Sequence, residues 1–264
     1  MTWNHLIYFA VAAAVCWISG SLTSFISRKK AFLWTVILYS AGIIIYSSFI
    51  TAFWISLKRP PLVTMGETRL WYSLFLALAG LITYVRWKYK WILSLTTVMA
   101  LVFLLINILR PEIHNRVLMP ALQSIWFIPH VTVYMFSYAL LACTFILALA
   151  GLIRPTLDVL PAIDQLCRAG LSFFTIGMLL GALWAKQAWG DFWSWDPKET
   201  WAAITWLLYV VYFHLKSTRP KARKYIYVSL VVAFLALQIC WYGLKYLPSA
   251  RDSMHNYALN MERR

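Results

Sequence analysis

Apolar residues along this chain come in long unbroken runs, separated by short polar connections. Stretches such as AVAAAVCWI and LVVAFLALQI do not alternate, whereas the strands of a membrane barrel would alternate over about ten residues. Crossing about 30 Å of hydrocarbon takes about 20 apolar residues, fewer where flanking side chains snorkel. The runs predict eight transmembrane helices, over 5–27, 32–57, 70–86, 91–109, 129–153, 169–187, 199–216 and 225–245. Trp71, Tyr72, Trp87 and Trp91 stand at their ends, where interfacial aromatics are expected. The expected fold is therefore all-α and polytopic, a single integral-membrane domain over 1–264.

Composition agrees with this pattern. The chain is 62% hydrophobic and only 12% charged, against about 45–50% and 25% in soluble domains. A compact soluble body could not bury that much apolar surface. The four cysteines, Cys16, Cys143, Cys167 and Cys240, form no staple framework and contain no CxxC pair. The lack of a CxxC pair argues against a thiol–disulfide carrier, and the absence of a glycine-rich phosphate loop argues against nucleotide-driven transport.

A net charge of +15 invites a nucleic-acid reading until the charges are sorted by loop. Of the 24 Lys and Arg, thirteen fall on one face: Arg28, Lys29 and Lys30, then Arg86, Lys88 and Lys90, Arg154 and Arg168, and the cluster from Lys216 to Lys224. That face holds only Asp158 and Asp164 of the nine acidic residues. The positive-inside rule makes it cytoplasmic and both termini external. Topology and anionic headgroups absorb the basic excess, so no nucleic-acid partner is expected. The first run starts without a basic region, continues past twenty residues and ends in a basic triplet, which reads as a retained helix rather than a cleaved signal.

Candidate chemistry gathers in the external loop 184–201, WAKQAWGDFWSWDPKETW, with five tryptophans: Trp184, Trp189, Trp193, Trp195 and Trp201. One reading is an interfacial girdle; the other is a rigid apolar platform for a large planar ligand, which the density favours. Trp189 and Trp193, four apart, would share a face of a helical turn, with Trp195 pointing elsewhere. Gly190 would allow a tight turn or close approach of the ligand. Asp196, Pro197 and Glu199 have the spacing of an N-cap, N1 and N3, a capping box opening the seventh helix, and Asp196 could in addition face the ligand.

The five histidines sort by depth. His130 opens the fifth span and His255 lies in the outer tail, both on the side of the tryptophan loop. Each alone reads as an interfacial polar group; as a pair flanking an aromatic platform they suit the axial ligands of a haem iron. His214 lies fifteen residues past Glu199, about 22 Å down the seventh helix, in its cytoplasmic half. Ionisable groups at that depth are functional candidates. His5 and His114, at the outer surface, read as interfacial groups.

WGDFWSWDPKETW at 189–201 resembles the WWD signature of the haem-handling proteins of cytochrome c biogenesis. The continuation to YVVYFH, with PALQSIWFIPHVTVYMFSYA, PLVTMGETRLW and HNY, resembles the CcsA (ResC) branch of system II more than the CcmC branch of system I. The resemblance implies haem b as the bound substrate or cofactor, with His130 and His255 as its axial ligands. Trp189, Gly190, Trp193, Trp195 and Asp196 would cradle it, and His214 would help pass it outward. It further implies thioether formation at a CxxCH motif of apocytochrome c outside the cytoplasm, as a component of a cytochrome c haem lyase. A separate CcsB (ResB)-like partner is implied, together with thiol-reducing proteins and a place in the bacterial cytoplasmic membrane with the loop outward. No catalytic residue is assigned. The alternatives are haem delivery to a chaperone without ligation, as in the CcmC branch, and a haem-free transporter or scaffold.

Overall fold

The computed structural model describes residues 1–26, 30–114 and 124–247, with the side chain of Lys245 excepted. Eight long helices carry almost all of it: α1 (Leu6–Thr23), α2 (Ala31–Leu57), α3 (Met65–Trp87), α4 (Lys90–Leu109), α5 (Phe127–Ile153), α6 (Leu160–Trp189), α7 (Pro197–Thr218) and α8 (Arg223–Gln238). A single turn of 3-10 helix, Trp3–His5, leads into α1, and a π turn, Ile239–Gly243, continues α8. Seven of the eight, α8 with its π turn among them, are long and apolar enough to cross a membrane. The exception is α7, whose 22 residues match the others in length but carry Lys198, Glu199 and Lys216 at their ends. The protein is an all-α, polytopic integral-membrane protein.

Two helices start earlier than the apolar runs predict, for one physical reason. α3 begins at Met65 because the Glu67 carboxylate is neutralised by a bidentate Arg59 pair (2.8 and 2.9 Å) and also closes a capping box with Thr64. α6 begins at Leu160 because Asp164, predicted to lie in a loop with Arg168, is paired both with Arg168 and with Tyr212 and Lys216 of α7.

The chain forms two compact units, Met1–Val117 and Leu118–Arg264. In the first, successive helices run antiparallel, and α1 also packs on α4. Polar contacts stitch it: Ser21 to Ser94 (2.7 Å), Tyr39 to Thr97 (2.9 Å) and the Ser73 hydroxyl donating to the Ala100 carbonyl (2.8 Å). In hydrocarbon, where no water competes, such bonds hold helices together at about 1 kcal/mol each. At one end His114 stacks on Trp3, ring centroids 3.7 Å apart.

In the second unit α5 is the central helix, packed on α6 along one face and on α8 along another, and α7 leans on α8. The α5–α6 seam is close because α6 presents small residues to it. Leu141 sits over Gly170, Tyr134 over Gly177 and His130 over Gly181. Gly177 and Gly181 form a GxxxG step of the sort that lets backbones approach in membranes. The Ser137 hydroxyl donates to the Gly170 carbonyl at 2.8 Å across the same seam. α6 and α7 meet mainly through polar links: the Trp206 indole N–H donates to Thr175 Oγ1 (2.9 Å), and Tyr212 and Lys216 hold Asp164.

Two measurements check this packing. A Cβ at Gly177 would lie 2.9 Å from the Tyr134 ring, so Gly177→Ala is expected to lower stability by about 1–3 kcal/mol in detergent denaturation. Burial against Trp3 lowers the His114 pKa, so the folded state favours the neutral ring. The stability this gives is complete above about pH 6.5, the ordinary histidine value, and is lost as pH falls below it. The stability of wild type relative to His114→Phe should therefore be flat above that pH and decline below it.

Candidate functional site

The tryptophan-rich end of the second unit is built where α5 begins, α6 ends and α7 begins. Ser124 sets the start of α5: its hydroxyl accepts from the Trp126 amide (3.1 Å) and donates to Gln187 of α6 (2.5 Å). That bond draws the first turn of α5 onto the last turns of α6, and His130 sits in this first turn. Its Nδ1 lies 2.8 Å from the carbonyl of Gly177. A carbonyl only accepts, so Nδ1 carries the proton and the lone pair is on Nε2, the arrangement found in metal-binding histidines oriented by a second bond. The ring is stacked on Trp184 (5.7 Å, 23°) and meets Tyr134 edge-on at 4.7 Å. It fits because position 181 has no side chain: a Cβ there would come within 2.7 Å of Cε1.

From this ring an aromatic chain leads to the loop. Trp184, 3% exposed, packs against Phe127 and against Trp189 at 4.6 Å in a T-shaped pair. Trp189 is the last residue of α6, and Gly190 ends it at φ +92°, a left-handed conformation that closes helices and that side chains strain. The expectation that Trp189 and Trp193 share a helical turn is corrected here: Gly190 reverses the chain between them. Trp193 pairs instead with Trp195, edge to face at 5.8 Å. Of the two expected uses of Gly190 the tight turn is the one seen; a Cβ there would meet nothing within 4 Å.

The loop returns to helix through the capping box read in the sequence. Glu199 Oε2 accepts from the amides of Ser194 (2.8 Å) and Asp196 (3.2 Å), while Asp196 Oδ1 accepts from the Lys198 amide (2.9 Å). Asp196 is buried as the N-cap of α7. Trp195, just before it, is held at φ +58° and is 69% exposed. A bulky residue there is strained by about 1–3 kcal/mol, and such strain collects at functional sites. The Glu199 bonds on either side hold it, and the Thr200 hydroxyl donates to its carbonyl at 3.1 Å. The Trp193 indole N–H is buried and has no hydrogen-bond acceptor among the described residues.

The structure thus brings together His130, Trp184 and Trp189 in one contact chain, with Gly190, Trp193, Trp195 and Asp196 on the connection that follows. His214 stands apart, toward the other end of the unit, where Tyr212 and Lys216 hold Asp164. Its side chain is exposed, in line with Ile204, Leu207 and Val211 on the outward face of α7. His255 lies outside the described residues.

Sequence reasoning missed the residues that position this site. Gly177, Gly181, Ser124 and Gln187 carry no chemistry of their own, although the GxxxG spacing was a usable signal. It also missed the Asp164 hub, where the i, i+4 spacings of Asp164 with Arg168 and of Tyr212 with Lys216 were visible.

A family model described as cytochrome C assembly protein matches residues 5–250, a span that includes all eight helices. The cytochrome c biogenesis protein CcsA of Cuscuta exaltata is 30% identical over 231 residues, covering 72% of this chain and 75% of that one. CcsA of Panax ginseng is 30% identical over 259 residues, covering 78% and 81%. CcsA of Chlamydomonas reinhardtii is 37% identical over 155 residues, 53% of this chain and 42% of its own. Among solved structures, the cytochrome c haem lyase CcmF superposes on 91% of this chain with a TM-score of 0.69. At 16% identity that likeness concerns the fold, and this chain spans 46% of the CcmF chain. With a match running from the first helix through the last and relatives 30% identical over most of their length, this chain belongs to the cytochrome c assembly protein family, in its CcsA-type, haem-handling branch.

Proposed function

We propose that the tryptophan-rich end of the second unit grips haem b as substrate and presents it to an apocytochrome c, with His130 as one axial ligand. The observation that carries this reading is the His130 ring itself. Its Nδ1 is engaged by the Gly177 carbonyl, its Nε2 carries the lone pair, and Trp184 fixes its plane. An oriented imidazole beside a cluster of indoles suits an iron porphyrin, whose apolar body the indoles would face. The unmatched Trp193 N–H is a donor suited to a propionate. His255 is proposed as the second ligand on the resemblance of the closing HNY to the family pattern.

The chemistry is addition of a substrate thiol S–H across a haem vinyl group. A carbon–sulfur bond forms, the hydrogen goes to the neighbouring vinyl carbon, and no oxidant or reductant is consumed. The contribution of this chain is positional: thiol and vinyl held within reach, with a rigid site in place of a general base. The thiols must arrive reduced, which assigns thiol-reducing proteins a supporting role. His214, exposed on an apolar face of α7, is proposed to meet haem together with an intramembrane histidine of a separate CcsB/ResB-like partner. The surplus of basic residues on the opposite loops supports placing the tryptophan loop on the non-cytoplasmic side of the membrane.

His130→Ala is expected to abolish covalent haem on a reporter cytochrome c, read by haem stain on a denaturing gel, and added imidazole should restore part of it. Unchanged maturation in that variant would refute the ligand assignment. Trp195→Gly separates strain from function: relief of the left-handed tryptophan should raise thermal stability by about 1 kcal/mol, while haem co-purifying with the protein falls.

A further inference from the structure

At the end of the second unit opposite the tryptophans, α7 and α8 enclose a groove of about 310 Å³, lined by Leu215, Arg219, Tyr225, Val228 and Ser229. We infer that this groove binds an anionic phospholipid, its phosphate on Arg219 and its first methylenes along Leu215 and Val228. Three features on the page point to this occupant.

The first is uncompensated charge. Among the described residues no carboxylate lies within ion-pair distance of Arg219, Lys221 or Lys224, Arg223 reaches Asp158 only at 3.8 Å, and Lys216 is taken by Asp164. The same connection opens α8 with Ala222 at the N-cap, which offers no side-chain acceptor, and with no acid in the first turn. Arg223 and Lys224 occupy that turn, the reverse of what the helix dipole favours. An anion lodged in the groove offsets both costs, although the groove and not the helix start carries the site.

The second is shape. The volume stands at the bottom of the range of about 300–1,000 Å³ typical of ligand pockets, enough for a headgroup and the start of an acyl chain but cramped for a porphyrin. The third is depth. The groove lies where α7 ends and α8 begins, and the Tyr225 ring at its edge is 69% exposed, as interfacial aromatics are. A polar rim joined to apolar walls at that level suits a molecule that is itself anionic at one end and aliphatic at the other.

The test is native mass spectrometry of the whole protein released from detergent, after equilibration with phosphatidylglycerol or phosphatidylcholine. Wild type is expected to retain phosphatidylglycerol preferentially. Arg219→Gln should weaken that retention by about fivefold, from the roughly 1 kcal/mol each basic residue contributes near an anionic surface. Ser229→Trp, which fills the groove and keeps every charge, should weaken it as well. Lys90→Gln, which removes one charge from the first unit, should leave it unchanged. Equal retention of the two lipids would overturn the inference. So would equal loss in Arg219→Gln and Lys90→Gln, which would mean diffuse attraction. Displacement of the lipid by haem in stoichiometric amount would also overturn it, since the anion recognised would then be a propionate.

Discussion

One hydrogen bond organises the tryptophan-rich end of this protein, from His130 Nδ1 to the Gly177 carbonyl. It forms only because α6 lacks side chains at 177 and 181, which lets the ring lie against its backbone. Fixing the proton on Nδ1 does two things at once. It leaves a basic lone pair on Nε2, and it sets the plane of the ring, which Trp184 then supports by stacking. The helix seam and the orientation of the His130 ring are therefore a single feature. A side chain at Gly181 would disturb both without touching the chemistry directly.

The loop after α6 depends on a second economy, that of helix ends. A helix closing on left-handed Gly190 and another opening on Asp196 leave five residues, 191–195, to carry two indoles beyond the pair at the end of α6. Glu199 satisfies two backbone amides of that connection, so the strained Trp195 is fixed by groups whose first role is capping. A cap of this kind contributes about 1 kcal/mol, comparable to the lower end of the strain it opposes. Of the two roles the sequence left open for Asp196, the capping one is seen.

The eight helices were legible because hydrocarbon demands long apolar runs, and the capping box because its spacing is local. Boundaries failed where charge entered a helix. Glu67 and Asp164 look like loop residues until Arg59, eight residues before the first, and Lys216, on α7, neutralise them. The tryptophans were legible as a group but not in their pairing, since helical periodicity put Trp189 beside Trp193 and one left-handed glycine undid it. His130 stood out by type and position, yet the orientation of its ring is set by the Gly177 carbonyl, 47 residues away. His214 lies near the C-terminal end of α7, as counting along the helix gives, and its outward exposure followed only from the packing of α7 on its neighbours.

A site that holds iron by an oriented imidazole should be visible at the metal. The most direct measurement is electron paramagnetic resonance of the ferric, haem-loaded wild-type protein beside His130→Ala, with and without imidazole. The account predicts a low-spin spectrum of two nitrogen ligands in wild type, high-spin iron in the variant, and return of the low-spin spectrum with imidazole. An unaltered low-spin spectrum in the variant would show that His130 does not ligate the iron.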